Sequence, residues 1–154
     1  MNLNSVADQL IGGGKEKTIS KSELKRTAIG VELITDPQLL LLDEPTSGLD
    51  SYKALSIVKL LKNLARKRGK TVISTIHQPS SEAFAMFDRL ILMCDGYIVY
   101  QGLAKYSSQY FKSIGWEVPI HTNPADYYMD VLSISYPKSK TDLRKIKALK
   151  KNYD

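Results

Sequence analysis

Two adjacent carboxylates, Asp43 and Glu44, follow directly on four leucines, Leu39 to Leu42, and lead into Pro45-Thr46-Ser47-Gly48-Leu49-Asp50. An uncharged quartet of this kind suits a strand buried on both faces of a parallel sheet. In open α/β sheets, ligands bind just beyond the carboxyl ends of the strands, which is where the two acids would lie. A pair of acids there calls for a cation or a reacting water. In phosphoryl transfer one Asp holds magnesium and a neighbouring residue orients the nucleophile. Asp43 is then the candidate metal residue and Glu44 the candidate base or water-positioner. A second run, Thr71 to Ile76, is rich in β-branched residues and ends at His77. Strand polarity puts His77 at the same sheet edge, where its task would be a hydrogen bond to a terminal phosphate. The bland alternative is a core strand that ends in a solvated acidic turn.

The elements that must hold these residues are marked by their ends. Asp50 or Ser51 can cap a helix whose apolar positions Ala54, Val58, Leu61 and Ala65 follow helical spacing. Arg66, Lys67 and Arg68 before Gly69 form a cationic last turn followed by a C-cap glycine. Further strands are predicted over Arg89 to Met93 and Tyr97 to Gln101, with Asp95-Gly96 between them as a hairpin turn. Asn123 followed by Pro124 predicts an N-cap and first-turn proline for a short helix towards Ser133. Trp116, Tyr127 and Tyr128 read as packing residues, and His121 as exposed.

With these residues in place, the chain resembles the nucleotide-binding domain of ABC transporters. Leu39 to Asp43 match Walker B, Glu44 the catalytic glutamate, Ser47-Gly48-Leu49-Asp50 the D-loop and His77 the switch histidine. Three stretches, from Lys25 to Leu33, Ser74 to Ser81 and Asn123 to Val131, resemble the G subfamily of white and multidrug half-transporters. The resemblance runs from about Val6 to Ser135, so residues 1–135 are expected to form the C-terminal half of such a domain and 136–154 a basic linker or tail. It implies an α/β fold: a partial P-loop NTPase (RecA-like) core, a parallel sheet flanked by helices, without the N-terminal Walker A half. It also implies ATP and Mg2+ as cofactors, and as partners a second nucleotide-binding domain, identical or different, and a transmembrane domain at the cytoplasmic face of a membrane.

Two departures qualify that expectation. A P-loop needs Gly-x-x-x-x-Gly-Lys followed by Ser or Thr. The nearest imitation, Gly12-Gly13-Gly14-Lys15, has Glu16 in the hydroxyl position and Gln9 in place of the first glycine, and reads as a turn. The signature loop of the resembling domains, Ser-Gly-Gly-Glu or close to it, caps the terminal phosphate held by the other subunit. Here it becomes Ser20-Lys21-Ser22-Glu23. Ser20 and Glu23 keep the spacing of a capping box for the helix towards Thr35. Lys21 and Ser22 add side chains where backbone must approach phosphate. Altered nucleotide handling is the expected consequence, with charge donation by Lys21 as the alternative. These four residues and Asp50 are the candidate nucleotide-binding positions.

Composition agrees with a folded chain: 154 residues and 43% hydrophobic content suit one domain. One cysteine, Cys94, permits no internal disulfide and suits a reducing compartment. The first residues lack the pattern of a signal peptide, and no run approaches the ~18 apolar residues of a membrane helix. Of the net charge of +6, an excess of five lies between Lys138 and Asp154, where seven basic residues face two acids. A globally basic nucleic-acid binder is therefore not indicated. Leu143, Ile146 and Leu149 recur at three-residue spacing, compatible with an amphipathic helix, and residues 138–151 are a candidate contact for an anionic membrane surface or else a solvated linker. The functional expectation is an ATP-binding and ATP-hydrolysing fragment of a G-type ABC transporter exporting lipids or other hydrophobic compounds, inactive alone. The alternatives are a non-catalytic remnant or regulatory dimerisation module and, third, a soluble ABC-type ATPase.

Overall fold

The computed structural model describes residues 1–12 and 18–151. Most of the glycine run from Gly12 to Lys15 lies outside the described residues. Length alone suits one core, whereas the chain divides into two compact units, Met1–His77 and Gln78–Asp154, each with an apolar cluster of its own.

In the first unit, α1 spans Lys21–Glu32. The predicted capping box is present: Ser20 N donates to Glu23 Oε2 at 2.7 Å and Glu23 N to Ser20 Oγ at 3.4 Å, so two orphan donors of the first turn are satisfied reciprocally. A 3-10 turn, Leu33–Thr35, ends at Asp36 in the left-handed region. Strand β1 (Leu39–Leu42) pairs in parallel with β2 (Thr71–Ser74), Leu39 opposite Thr71 and Leu42 opposite Ser74. The crossover between them is α2, Ser51–Arg68, capped by Asp50 and closed by Gly69 at φ +63. Ile57, Leu61 and Leu64 of α2 bury against Ile29 of α1 and Leu40 of β1. The buried stripe of α2 is thus Ile57, Val58, Leu61 and Leu64: the predicted Val58 and Leu61 are in it, and the predicted Ala54 and Ala65 lie at its margins. Lys70, buried at the foot of β2, is paired with Asp36 at 2.6 Å and also donates to the Asp36 carbonyl, which satisfies a charge that could not otherwise be buried.

Burial corrects one expectation directly. β1 is not covered on both faces: Leu40 is buried, but Leu39 and Leu41 are exposed, as is Ile73 on β2. Side chains alternate across a strand, and α1 and α2 supply cover for only one side.

The second unit contains α3 (Ser81–Phe84), β3 (Arg89–Cys94), β4 (Tyr97–Leu103), α4 (Ser107–Ser113), α5 (Pro124–Leu132) and α6 (Lys140–Lys151). β3 and β4 form an antiparallel hairpin separate from the parallel pair. Its turn places Asp95 at φ +51 and Gly96 at φ +82, the geometry of a two-residue hairpin turn with both centres left-handed. The core is built around Phe111 and Tyr128, both fully buried and stacked at 4.5 Å between ring centroids. The Tyr128 hydroxyl is satisfied by Ser107 Oγ at 2.9 Å and Ser108 Oγ at 3.0 Å. Cys94 lies buried against this cluster with its thiol on the Leu132 carbonyl, and burial pushes its ionisation up. Trp116 and Tyr127 pack against the same cluster, and His121 is exposed, as their reading anticipated.

The basic segment carries α6, and Ile146 and Leu149 of that helix enter the core while Leu143 does not. Asp142 joins Ser139 in a second reciprocal cap, with Ser139 Oγ donating to Asp142 Oδ2 at 2.7 Å and Asp142 N to Ser139 Oγ at 3.0 Å.

Two outcomes test this packing. Phe111→Ala empties the centre of the second core and should lower stability by about 3–5 kcal/mol in denaturant unfolding, whereas Tyr128→Phe, which removes one hydroxyl, should cost about 1 kcal/mol. The hydrogen bonds from Ser139 hold the Asp142 carboxyl below its ordinary range. Its contribution to α6 is therefore full above the unfolded carboxyl value of about 3.9 and lost as pH falls through the lower folded value. Amide exchange in α6 should accelerate over that acidic window, and in Asp142→Asn the pH dependence should disappear.

Candidate functional site

Parallel pairing brings the ends of β1 and β2 to one edge, and there the sequence continues as Asp43-Glu44 and Thr75-Ile76-His77. The ladder runs one step beyond the strands, since Thr75 N donates to the Leu42 carbonyl at 3.1 Å. Thr75 is thereby set opposite Asp43, and its single hydroxyl serves both acids. It donates to Asp43 Oδ1 at 2.6 Å and accepts from the Glu44 backbone N–H at 2.9 Å.

Glu44 has φ +41, a left-handed backbone uncommon outside glycine, asparagine and aspartate. Such a conformation costs of order 1 kcal/mol and persists where surrounding contacts over-determine it. Three do so here: the Thr75 bond to its amide, the Lys25 ammonium of α1 donating to its carbonyl at 3.0 Å, and the Ser47 amide donating to the same carbonyl at 3.0 Å. Pro45 is buried behind the turn, while both carboxylates remain exposed. The backbone of Glu44 is clamped, and its carboxylate is presented to solvent.

The other predicted residues fall in different settings. His77 is exposed at the same edge, three residues past β2, and makes no hydrogen bond to either acid among the described residues. Asp50 caps α2: its Oδ1 accepts from Lys53 N at 2.9 Å, its Oδ2 pairs with the Lys53 ammonium at 2.9 Å, and these bonds hold its carboxyl below the ordinary range. Ser20 and Glu23 are occupied with each other at the start of α1, which likewise lowers Glu23. Lys21 is exposed, but Ser22 is buried at 6% exposure. Ser22 is thus turned into the first unit rather than offered to a ligand.

Thr75 and Lys25 were not singled out as site residues. Thr75 carried a signal: it is a hydroxyl residue one step beyond a strand whose parallel neighbour ends in an acid. Lys25 carried none, since a lysine one turn into a helix reads as surface.

A magnesium ion fits this edge only in part. Among the described residues no group of three or more His, Cys, Asp or Glu gathers. Asp43 could supply one carboxylate, and water or phosphate oxygens would complete the octahedron, the usual manner in which Mg2+ is held.

Comparisons with known proteins give the context. Residues 77–151 match a family model described as ABC-2 type transporter. The chain is 46% identical over 135 residues to protein white of Drosophila melanogaster, covering 87% of this chain and 20% of that protein. It is 45% identical to the broad substrate specificity ATP-binding cassette transporter ABCG2 of Mus musculus over 86% of this chain and 20% of that one. It is also 46% identical to ABC transporter G family member 14 of Arabidopsis thaliana over 85% of this chain and 20% of that one. The chain therefore spans about one fifth of the length of these curated relatives. Among solved structures, the ADP conformation of an ATP-binding cassette of an ABC transporter superposes with a TM-score of 0.52 at 26% identity, over 57% of this chain and 35% of that one.

These similarities relate the chain to G-type ABC transporters, a relation that fits association with a membrane. They also overturn one expectation. The recognition of the chain as the C-terminal half of a nucleotide-binding domain does not stand, because the family model that matches is an ABC-2 type transporter model, and it takes in residues 77–151, the second unit as far as the end of α6. No helix among the described residues is long and apolar enough to cross a membrane.

The Thr75 bridge is open to direct test. Thr75→Val should shift and deprotect the Glu44 amide in NMR hydrogen exchange, whereas Thr75→Ser, which keeps the hydroxyl, should leave it nearly unchanged. Unaltered Glu44 exchange in the valine variant would show that the bridge does not hold the turn.

Proposed function

We propose that this chain supplies the metal- and water-handling edge of the ATP-hydrolysing machinery in a G-type ABC transporter. The observation that carries this reading is the clamped Glu44 turn beside Asp43, both fixed by Thr75 at the carboxyl edge of two parallel strands. The similarity to an ATP-binding cassette solved in its ADP conformation supports it.

In this reading Asp43 is the magnesium residue and its Thr75 bond orients the carboxylate. When bound, Mg2+ neutralises phosphate charge. Glu44 accepts a proton from, or orients, the attacking water, a role that needs an exposed carboxylate on a fixed backbone. His77 donates a hydrogen bond to the terminal phosphate from the same edge. Lys21 and the first turn of α1, with the Asp50 turn, face a nucleotide held mainly by a second ATP-binding domain, so the working unit is a dimer joined to transmembrane segments at the cytoplasmic face. ATP hydrolysis is coupled there to movement of lipids or other hydrophobic compounds.

A non-catalytic dimerisation module is the rival, and the burial of Ser22 together with the closed Ser20–Glu23 cap favours it. The two readings part on one measurement. In a transporter chain carrying this segment together with a P-loop, Glu44→Gln should retain ATP binding and lower turnover at least about a hundredfold, and His77→Ala should also impair turnover. Hydrolysis undiminished in Glu44→Gln would remove the proposed role of Glu44, and absence of hydrolysis in the unaltered chain would favour the dimerisation module.

A further inference from the structure

We propose that the outward face of α6 is a docking surface for an anionic lipid bilayer. This inference does not depend on the hydrolysis reading. α6 gives opposite faces to opposite tasks. Ile146 and Leu149, at 9% and 1% exposure, point into the second core with Asp142. The helix is also held at its margins: Lys145 Nζ donates to the Ser133 carbonyl at 3.0 Å, and ahead of it Tyr136 and Lys138 both reach the Asp95 carboxylate at 2.7 Å. Its buried apolar stripe is therefore committed and not free to insert into lipid.

On the other side stand Lys140, Arg144 and Lys147, at positions i, i+4 and i+7 of the helix and all exposed. None of the three forms an ion pair with a described residue. Two acids that lie close to α6 in the fold are engaged elsewhere, Asp142 of the helix itself in the Ser139 cap and Asp95 with Tyr136 and Lys138. Among the described residues the stripe thus offers three charges without an ion-pair partner, in one row.

Leu143 distinguishes a bilayer from a nucleic acid. It is 55% exposed and lies between Lys140 and Lys147 on the same flank. A phosphodiester backbone offers nothing to a leucine side chain, whereas the boundary between headgroups and acyl chains accepts one. The match of residues 77–151 to a transporter family includes α6, which places a membrane within reach of the chain's relatives. Because the buried stripe is not available, attachment is chiefly electrostatic and should weaken steeply with salt.

The experiment is co-sedimentation of the full chain with phosphatidylcholine vesicles that contain about one-third phosphatidylserine, against pure phosphatidylcholine, at about 50 mM and about 300 mM salt. Each basic side chain near an anionic surface raises partitioning about fivefold, so Lys140→Gln, Arg144→Gln and Lys147→Gln together should lower it about a hundredfold. Leu143→Asn should weaken it a few fold. Circular dichroism of the triple variant should match the parent. If the triple variant loses helix, the three single neutralisations, each about fivefold, take its place. Equal binding to pure phosphatidylcholine, no binding to phosphatidylserine vesicles, or binding indifferent to the neutralisations would overturn the proposal. So would a duplex oligonucleotide that binds through these three residues while vesicles do not.

Discussion

Two parallel strands cannot be joined by a tight turn, and the first unit is organised by that constraint. The carboxyl end of β1 and the amino end of β2 lie at opposite ends of the pair, so the intervening chain must travel the full length of the sheet and cover it on the way. α2 makes that journey in 18 residues and buries Ile57, Leu61 and Leu64 against Leu40. The same polarity brings the residues after Leu42 and after Ser74 to one edge, which is why a threonine hydroxyl can serve two acids about thirty positions away. An antiparallel pairing would have sent Thr75 to the opposite end. The site is thus a product of topology, and the individual side chains only refine it.

What was legible in the sequence was local. The Ser20–Glu23 box, the Asp50 cap, the Gly69 stop, the Asp95-Gly96 turn and the Asn123-Pro124 start all rest on interactions between residues a few positions apart. The acid pair was legible too, since residue type and the preceding leucines already fix where it must sit. The clamp on Glu44 was not. It draws on Lys25 and Thr75, 19 and 31 residues distant, and glutamate is not a residue that announces a left-handed backbone. Nor could the pattern Leu143, Ile146, Leu149 say which members face inward. Three-residue spacing drifts round a helix of 3.6 residues per turn, and only the partner surface selects Ile146 and Leu149 over Leu143.

The second unit shows how polar groups are kept inside an apolar cluster without cost. Tyr128 brings a hydroxyl into the core, and the two serines opening α4 meet it. Asn123 both caps α5 through Ala125 N and donates to the Pro79 carbonyl at 2.9 Å, so the start of that helix is tied to the residues that open the unit. At Gly102 an added Cβ would lie 2.8 Å from the Tyr100 hydroxyl, which is bound to the Leu103 carbonyl. A larger residue there would have to displace the Tyr100 hydroxyl from that bond, so glycine is favoured by a neighbour's side chain and not by its own backbone.

The exposed side of β1 has a consequence beyond chemistry. Leu39 to Leu42 is an uncharged run that leaves alternate leucines in solvent, the composition from which stacked strands of separate chains assemble. It is followed at once by Asp43, Glu44 and Pro45. Charges and a proline at the border of such a run act as gatekeepers, because like charges in stacked copies repel and proline cannot extend the ladder. The acids proposed to handle magnesium and water thus also stand where gatekeeper charges oppose self-association. A variant that neutralises both removes a chemical group and a colloidal barrier together, and its loss of activity would have two separable causes.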